Sequence, residues 1–472
     1  MKFLLSLVVL TISASSLASN FTACQDANDF SELKQSQCRY VESPLLHTAK
    51  DDQTIKLFVR KFPASEKRQG SLWLIAGGPG ESGSSFYPII RYFQQSFPAL
   101  DIFVPDHRGT GASTTICKEE SPQSTAGTSL VGEEWGQCFG FMYSNPDYVK
   151  AFSITNAAKD LKQLISQYSG EGKRYVYGVS YGTQLVLRLL QLEELQLDGV
   201  ILDSLIPHQL NNQYDLSHRS QVVNNVGLEL LALHQTPTKT NQKKGASLKE
   251  QLAHVLKNPQ SLNSDSQKWT RNKLSLTLGS MLDVPSVRNT LPQLIEQLSE
   301  GKTSLLLDGQ SKLNKYYKNL SKDYFNKGYS IPLAQVIIAS ENNLRPKQTK
   351  QDIEKESQSL LFTSPLPGLI AENSLPTYAK DQYFAKQPKQ IPPMLVLHGT
   401  LDPKTHYRAA ELHIQKLRQT GSVRLITIKQ APHFIALTAT KCFQQWTKQF
   451  VAKQITQDAE CIENAALVNF HP

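Results

Sequence analysis

The sequence predicts an α/β fold, with a mostly parallel central sheet flanked by helices and interrupted by a large helical insertion. Three observations carry that prediction. Short apolar runs, each closing near glycine, aspartate or proline, alternate with stretches of helical periodicity, as strands covered on both faces do. One such run, Tyr175-Val176-Tyr177, passes through the glycine-bracketed Gly178-Val179-Ser180-Tyr181-Gly182 into a helical stretch from Thr183 to Leu190. Strand-like runs then return at Met394 after a long segment that lacks them.

The first residues stand apart from this core. Lys2 precedes an apolar run from Phe3 to Leu10 that extends to Leu17, and Ser16-Leu17-Ala18 fits a small-x-small cleavage pattern. Residues 1–18 therefore read as a secretory signal peptide, which implies export to a periplasm or the medium. The run falls short of the ~20 residues of a spanning helix, and no later stretch is long and apolar enough for one. Lipid attachment at Cys24 is disfavoured, because Asn20-Phe21-Thr22-Ala23 lies beyond the apolar region.

Residues 19–204 are expected to form the first part of the core. Thr54 to Phe62 alternates apolar and polar side chains like a half-buried early strand, and Leu72–Ala76, Ile102–Val104, Tyr175–Tyr177 and Val200–Leu202 read as buried strands. Between them Ile154, Ala157, Leu161, Leu164 and Ile165 recur at threes and fours, with Ser153 as N-cap and Gly170 as stop. From 205 to 389 the chain becomes rich in Gln, Asn, Lys and Leu with helical period, and contains polar pieces of low order at Pro237–Ser247 and Lys347–Glu356. This segment reads as a helical cap. Met394–Leu397 and Val423–Ile428 rejoin the sheet over 390–472, a return that an interrupted sheet explains better than an independent second domain. Gly301-Lys302-Thr303 resembles the end of a phosphate-binding loop, but Glu296 stands where the first glycine is required, so it reads as a helix end and turn.

Composition narrows the function. The 472 residues carry 50 basic and 41 acidic side chains, a formal charge of +9, which is compatible with an acidic partner without requiring one. Basic clusters such as Lys239 to Lys249 lack interleaved aromatics, which argues against nucleic acid. Six cysteines in an exported chain favour disulfides, and proximity in sequence pairs Cys24 with Cys38, Cys117 with Cys138 and Cys442 with Cys461. There is no C-x-x-C, and the eleven histidines form no H-E-x-x-H, so neither a metal nor another cofactor is expected.

A serine hydroxyl is a weak nucleophile, and needs a tight turn that lifts it clear of the sheet towards a histidine. Strand, Gly178-Val179-Ser180-Tyr181-Gly182 and helix supply that setting, with Ser180 as nucleophile. The base and its orienting acid should follow in chain order. Asp402 comes just after the penultimate expected strand, at the carboxyl edge where α/β chemistry collects. An aspartate capping a turn before Pro403 would leave the same pattern. Asp203, closing Val200-Ile201-Leu202, is the alternative acid. His433, after the last strand, is the favoured base. His398 sits at a strand end and His406 and His413 in the following helix, where packing or surface roles are expected. The oxyanion should be met by the backbone N–H of Tyr181 and one from Ala76-Gly77-Gly78-Pro79-Gly80-Glu81-Ser82-Gly83, whose glycines let the backbone approach closely.

Gly77-Gly78-Pro79-Gly80-Glu81-Ser82-Gly83, Asp106-His107-Arg108-Gly109-Thr110-Gly111-Ala112-Ser113 and Gly178-Val179-Ser180-Tyr181-Gly182-Thr183 together resemble the successive signatures of the prolyl aminopeptidase and tripeptidyl aminopeptidase group of α/β-hydrolases, most closely its exported tripeptidyl branch. The resemblance spans nearly all of the mature chain and is thinnest in the cap. It implies an α/β-hydrolase fold, Ser180, Asp402 and His433 as triad, Gly78 and Tyr181 as oxyanion donors, and a structural turn at Asp106–Ser113. Prolyl aminopeptidases usually carry histidine before the double glycine where this chain has Ala76, which separates it from strict proline release. Members of the group bind the free α-amine of the peptide with cap carboxylates, and by position Glu341 is the candidate. The expectation is an exported serine exopeptidase acting near the free N-terminus of short peptides through an acyl-enzyme. The alternatives are an esterase or amidase on the same machinery, and a binding protein with a retired site.

Overall fold

A computed structural model describes residues 21–48, 52–124, 127–234, 246–262, 268–320 and 322–463. The segment expected as a signal peptide and most of Pro237–Ser247 lie outside the described residues. The strands are β1 (Thr22–Ala23), β2 (Gln37–Pro44), β3 (Thr54–Phe62), β4 (Gly70–Ile75), β5 (Leu100–Asp106), β6 (Lys173–Val179), β7 (Gly199–Asp203), β8 (Met394–Gly399), β9 (Val423–Lys429) and β10 (Ala459–Ile462). They form one sheet in the order β1-β2-β3-β5-β4-β6-β7-β8-β9-β10. From β5 to β10 every ladder is parallel; the three at the N-terminal edge are antiparallel.

The apolar runs form strands because both faces of the sheet are covered. Along β4, Trp73 and Ile75 enter one core and Leu72 and Leu74 the other, and all four are buried. Truncating any one to alanine is expected to cost about 2–5 kcal/mol. Trp73 stacks on Phe103 of β5 with ring centroids 4.4 Å apart. One face of the sheet is packed by the helix Ile154–Tyr168, where the Ser153 hydroxyl accepts from the N–H of Asn156 and Gly170 turns the chain at φ 63°. Between β7 and β8, neighbours in the sheet, the regular elements among the described residues are all helical and enclose a third apolar core around Leu252, Leu278 and Leu294.

Three disulfides join Cys24 to Cys38, Cys117 to Cys138 and Cys442 to Cys461. The first ties the strand pair at one edge of the sheet, and the last ties β10, at the other edge, to the helix Thr440–Val451. Edge strands are the least secured part of a sheet. A loop-closing bond there stabilises by about 3 kcal/mol.

Two features differ from the sequence expectation. The edge strands β1, β2 and β10 carry no long apolar run and were not expected. Lys347–Glu356, expected to have little order, overlaps the helix Lys350–Ser357: Thr349 accepts from the N–H of Asp352, whose carboxylate accepts from the N–H of Thr349, a reciprocal capping box that makes up for a single buried apolar residue, Ile353.

Candidate active site

Register brings the functional loops together. Ile75 of β4 pairs with Gly178 of β6, Val179 with Asp203 of β7, and Asp203 with Leu397 of β8. The loops that follow these strands therefore open side by side at the carboxyl edge of the sheet, where the strand order reverses about β4.

Ser180 sits between β6 and the helix Tyr181–Gln191 at φ 56°, ψ −126°. An L-residue adopts such a backbone at a cost of about 1–3 kcal/mol, so the surroundings must hold it. They do so through close contact. A β-carbon on Gly182 would lie 2.3 Å from the carbonyl oxygen of Ile75, and one on Gly178 would lie 2.7 Å from that of Gly182. The Ser180 N–H also donates to the Asp203 carbonyl at 3.0 Å. Tyr181 is the first residue of its helix, so its N–H has no intrahelical acceptor. Gly78 borders the same cavity at φ 109°.

His433 lies on the loop after β9, and its Nδ1 is 2.8 Å from Oδ2 and 3.0 Å from Oδ1 of Asp402. Asp402 is fully buried. Its Oδ1 accepts from the N–H groups of Lys404 and Thr405, and its Oδ2 from the Thr405 hydroxyl, each at 2.7 to 2.8 Å. Both readings of the sequence thus hold at once, since the turn-capping aspartate is also the partner of the histidine. Burial raises the Asp402 pKa, but the charge and hydrogen bond of His433, with His398 and the Thr405 N–H, outweigh it and hold the carboxyl well below the usual carboxylate range.

Asp203 goes to backbone instead. Its carboxylate accepts from the N–H groups of Ile435 (2.8 Å) and Ala436 (2.9 Å), from the Tyr177 hydroxyl (2.7 Å) and from Ser204. The Ser204 hydroxyl in turn accepts from the N–H of Phe434, which stands at φ 67°. Asp203 therefore holds Ser180 by its carbonyl and the residues after His433 by its side chain. His398 is buried on β8 with Nε2 2.6 Å from the Thr405 carbonyl, His413 has Nδ1 2.9 Å from the Ile206 carbonyl, and His406 is the N-cap of the helix Tyr407–Leu417.

Ser180, His433 and Gly78 border one cavity of about 690 Å³, which Leu216, Arg219, Tyr316, Tyr329 and Ile338, from between β7 and β8, also line. A larger recess of about 1030 Å³, beside Ala112–Ile116, holds none of these groups. Glu81 also borders the site cavity; a β-carbon on Gly77 would stand 3.2 Å from its Oε2, and burial raises its pKa. Glu341 is placed elsewhere. It is buried in the π-helical turn Ile338–Asn342, with Oε2 2.8 Å from Arg188 and 2.8 Å from Gln209 Nε2, and the cavity wall takes Ile338 from this turn. The Asp106–Ser113 turn is held by its own residues: Asp106 accepts from the N–H groups of Gly83 and Ala112, and Arg108 makes a two-pronged pair with Asp160 at 2.6 and 2.7 Å. Among the described residues no group of three or more His, Cys, Asp or Glu side chains could hold a metal, and no helix is long and apolar enough to cross a membrane.

A family model described as the alpha/beta hydrolase fold matches residues 71–440, most of the chain. The chain belongs to the α/β-hydrolase family. This α/β-hydrolase is also similar to the protein YuaR of Escherichia coli (strain K12), 21% identical over 436 residues that cover 85% of this chain and 83% of the relative. Among solved structures it is similar to a thermophilic esterase from Thermogutta terrifontis (14% identity, 89% of this chain and 100% of the other, TM-score 0.38). The epoxide hydrolase VrEH1 from Vigna radiata is a second (13% identity, 88% and 98%, TM-score 0.39).

Of the residues singled out in the sequence, Ser180, Gly78 and His433 border this cavity, Asp402 contacts His433, and Tyr181 opens the helix after Ser180. Sequence reasoning missed Thr405, which donates to Asp402 and lies 3.3 Å from His433 Nδ1. Its position three residues after an aspartate is the local signal. Nothing local announces Arg219, which the insertion brings in.

Proposed function

We propose that this α/β-hydrolase is an exported serine exopeptidase that cleaves short peptides near their free N-terminus. The observation that carries the reading is the His433–Asp402 contact at 2.8 Å on the cavity that Ser180 borders. Asp402, kept ionised, fixes the imidazole with its Nδ1–H towards the carboxylate, which leaves Nε2 free to take the Ser180 proton. The hydroxyl oxygen attacks the scissile carbonyl, and the N–H groups of Gly78 and Tyr181 receive the oxyanion of the tetrahedral intermediate. Each such donor supplies about 3 kcal/mol of transition-state stabilisation. His433 then protonates the departing amine, and water, deprotonated by the same nitrogen, releases the acyl group from Ser180.

Free-amine recognition is assigned to Glu81 in place of Glu341. Of the carboxylates on the cavity wall, Asp283 is engaged by Lys404 at 3.2 Å, whereas Glu81 has no ion-pair contact among the described residues and feels the charges of Lys404 and His433 from beyond that distance. Glu341 is spent on Arg188. The three disulfides support export, because they persist in oxidising compartments.

The test compares free-amine peptide anilides, their N-acetyl forms and short aryl esters, with Ser180→Ala as control. Preference for the free amine is the expected result. Serine-dependent turnover confined to acetylated peptides or esters would turn the reading to an esterase or amidase, and absence of serine-dependent turnover and labelling to a binding protein.

A further inference from the structure

Four cationic side chains reach the wall of the cavity that holds Ser180 and His433: Arg219, Lys322, Lys327 and Lys404. Three are matched by carboxylates. Lys404 stands 3.2 Å from Asp283, Lys322 stands 2.7 Å from Glu32, and Lys327 bonds Asp323. Arg219, half-buried, has no carboxylate within ion-pair distance and no hydrogen-bond partner among the described residues. Burial lowers its pKa, while Asp402, Asp283, Tyr329 and Asp215 act in the opposite sense from beyond contact distance.

Such a cation is costly to keep. A guanidinium does not shed its proton in the working range, and its five N–H donors ask for acceptors wherever water is thinned out. Helix stability does not account for it either. Arg219 is the first residue of the helix Arg219–Leu233, where a positive charge adds to the positive end of the helix dipole. What remains is the cavity it borders.

We infer that Arg219 receives a carboxylate of the substrate, in the two-pronged geometry that a guanidinium offers to a planar anion. The inference rests on the exopeptidase reading for the kind of substrate and deepens it. Glu81, whose backbone bridges to that of Tyr329, lines the same cavity as Arg219, so an acidic and a basic side chain border it together. A short peptide with both ends free carries the opposite charges on its ammonium and carboxylate. The cavity then selects length as well as a free amine, because a chain whose carboxylate cannot meet Arg219 leaves that cation desolvated and unpaired.

The test is a ratio. For a tripeptide acid and the same tripeptide amide, kcat/KM is expected to favour the acid about 10–100-fold, the range that a charge-assisted hydrogen bond supplies. In Arg219→Gln the ratio collapses towards one. Arg219→Lys, which keeps the charge and loses the fork, retains part of it and serves should the glutamine variant fail to fold. A tripeptide amide ending in glutamate separates the two carboxylates a peptide can offer: recovered preference assigns the site to an acidic side chain, and no recovery to the chain terminus. A 4-carboxyphenyl ester compared with its 4-carbamoylphenyl counterpart makes the outcome independent of peptide turnover. If no peptide is cleaved but the carboxylate ester is preferred and Arg219→Gln removes that preference, the carboxylate site stands and the exopeptidase reading falls. Equal rates for acid and amide in the unaltered protein with both substrate pairs, or equal losses on both members of each pair in Arg219→Gln, overturn the inference.

Discussion

β7 and β8 lie side by side and each leads to a fully buried aspartate at the carboxyl edge of the sheet, yet the two carboxylates meet different partners. Asp402 reaches an imidazole. Asp203 reaches the main chain of Ile435 and Ala436, which open the short helix Ile435–Thr438 just after that imidazole. The electrostatic consequences are opposite. For Asp402, burial is outweighed by His433 and the capping bonds, so the pKa falls; for Asp203, burial prevails over its hydrogen bonds, so the pKa rises. Position at the sheet edge makes a carboxylate available to a site, and the three-dimensional neighbour decides whether it orients a reacting group or holds the scaffold beneath it.

The strongest way to break this comparison is at the reacting groups. Ser180→Ala is expected to lower kcat on the order of 10⁶-fold with little change in unfolding free energy, and Asp402→Asn about 10⁴-fold because the imidazole is left in the wrong tautomer, together with a loss of stability because its buried oxygens accept from the Lys404 and Thr405 N–H groups. Stopped assays paired with denaturant melts would check them. Asp203→Asn should differ from Asp402→Asn in its kinetics. Replacing one oxygen by an NH₂ sets a donor against backbone N–H donors, which is expected to cost about 1–3 kcal/mol of stability and to lower kcat far less than Asp402→Asn. Equal kinetic losses in the two variants, with unaltered melts, would make Asp203 the orienting acid after all.

The pH dependence sharpens the same contrast. A carboxyl whose pKa is depressed by folding contributes stability that is fully present above its unfolded value, near 3.8, and is lost as pH falls through the folded value. Asp402→Asn should therefore flatten the acid limb of the melting-temperature profile. Asp203, with its pKa raised, binds its proton more tightly in the fold, so its contribution declines as pH climbs from the unfolded value through the folded one. Asp203→Asn should remove that decline. The smallest effect is expected for Thr405→Val, which deletes the hydroxyl bond to Asp402 and should lower kcat about 5–10-fold, equivalent to roughly 1 kcal/mol.

Much of the architecture was legible because its strands are continuous apolar runs. Thr54–Phe62 coincides with β3, and the expected central strands differ from the observed ones by a few residues at their ends. The edges were not legible. β1, β2 and β10 have one covered face at most and depend on strand pairing that no local pattern announces, although proximity in sequence does pair the cysteines that tie them. The partners of Glu341 were likewise not legible. A helix-end glutamate in the cap gave no sign that Arg188, far away in the chain, would bury it.

By itself the sequence determined what local chemistry can specify: the apolar periods that make the sheet, the glycines without which the chain could not pass Ile75 at Gly182, and the residue types able to form a hydroxyl, imidazole and carboxylate set. Only the tertiary structure decided which of two edge aspartates faces the imidazole, which carboxylates are already consumed by arginine or lysine, and which guanidinium is left facing the cavity unpaired. The physical reason is that identity and spacing fix backbone preference over a few residues, whereas pairing and desolvation depend on distances between groups that the folded sheet and its helical insertion bring together from distant parts of the chain.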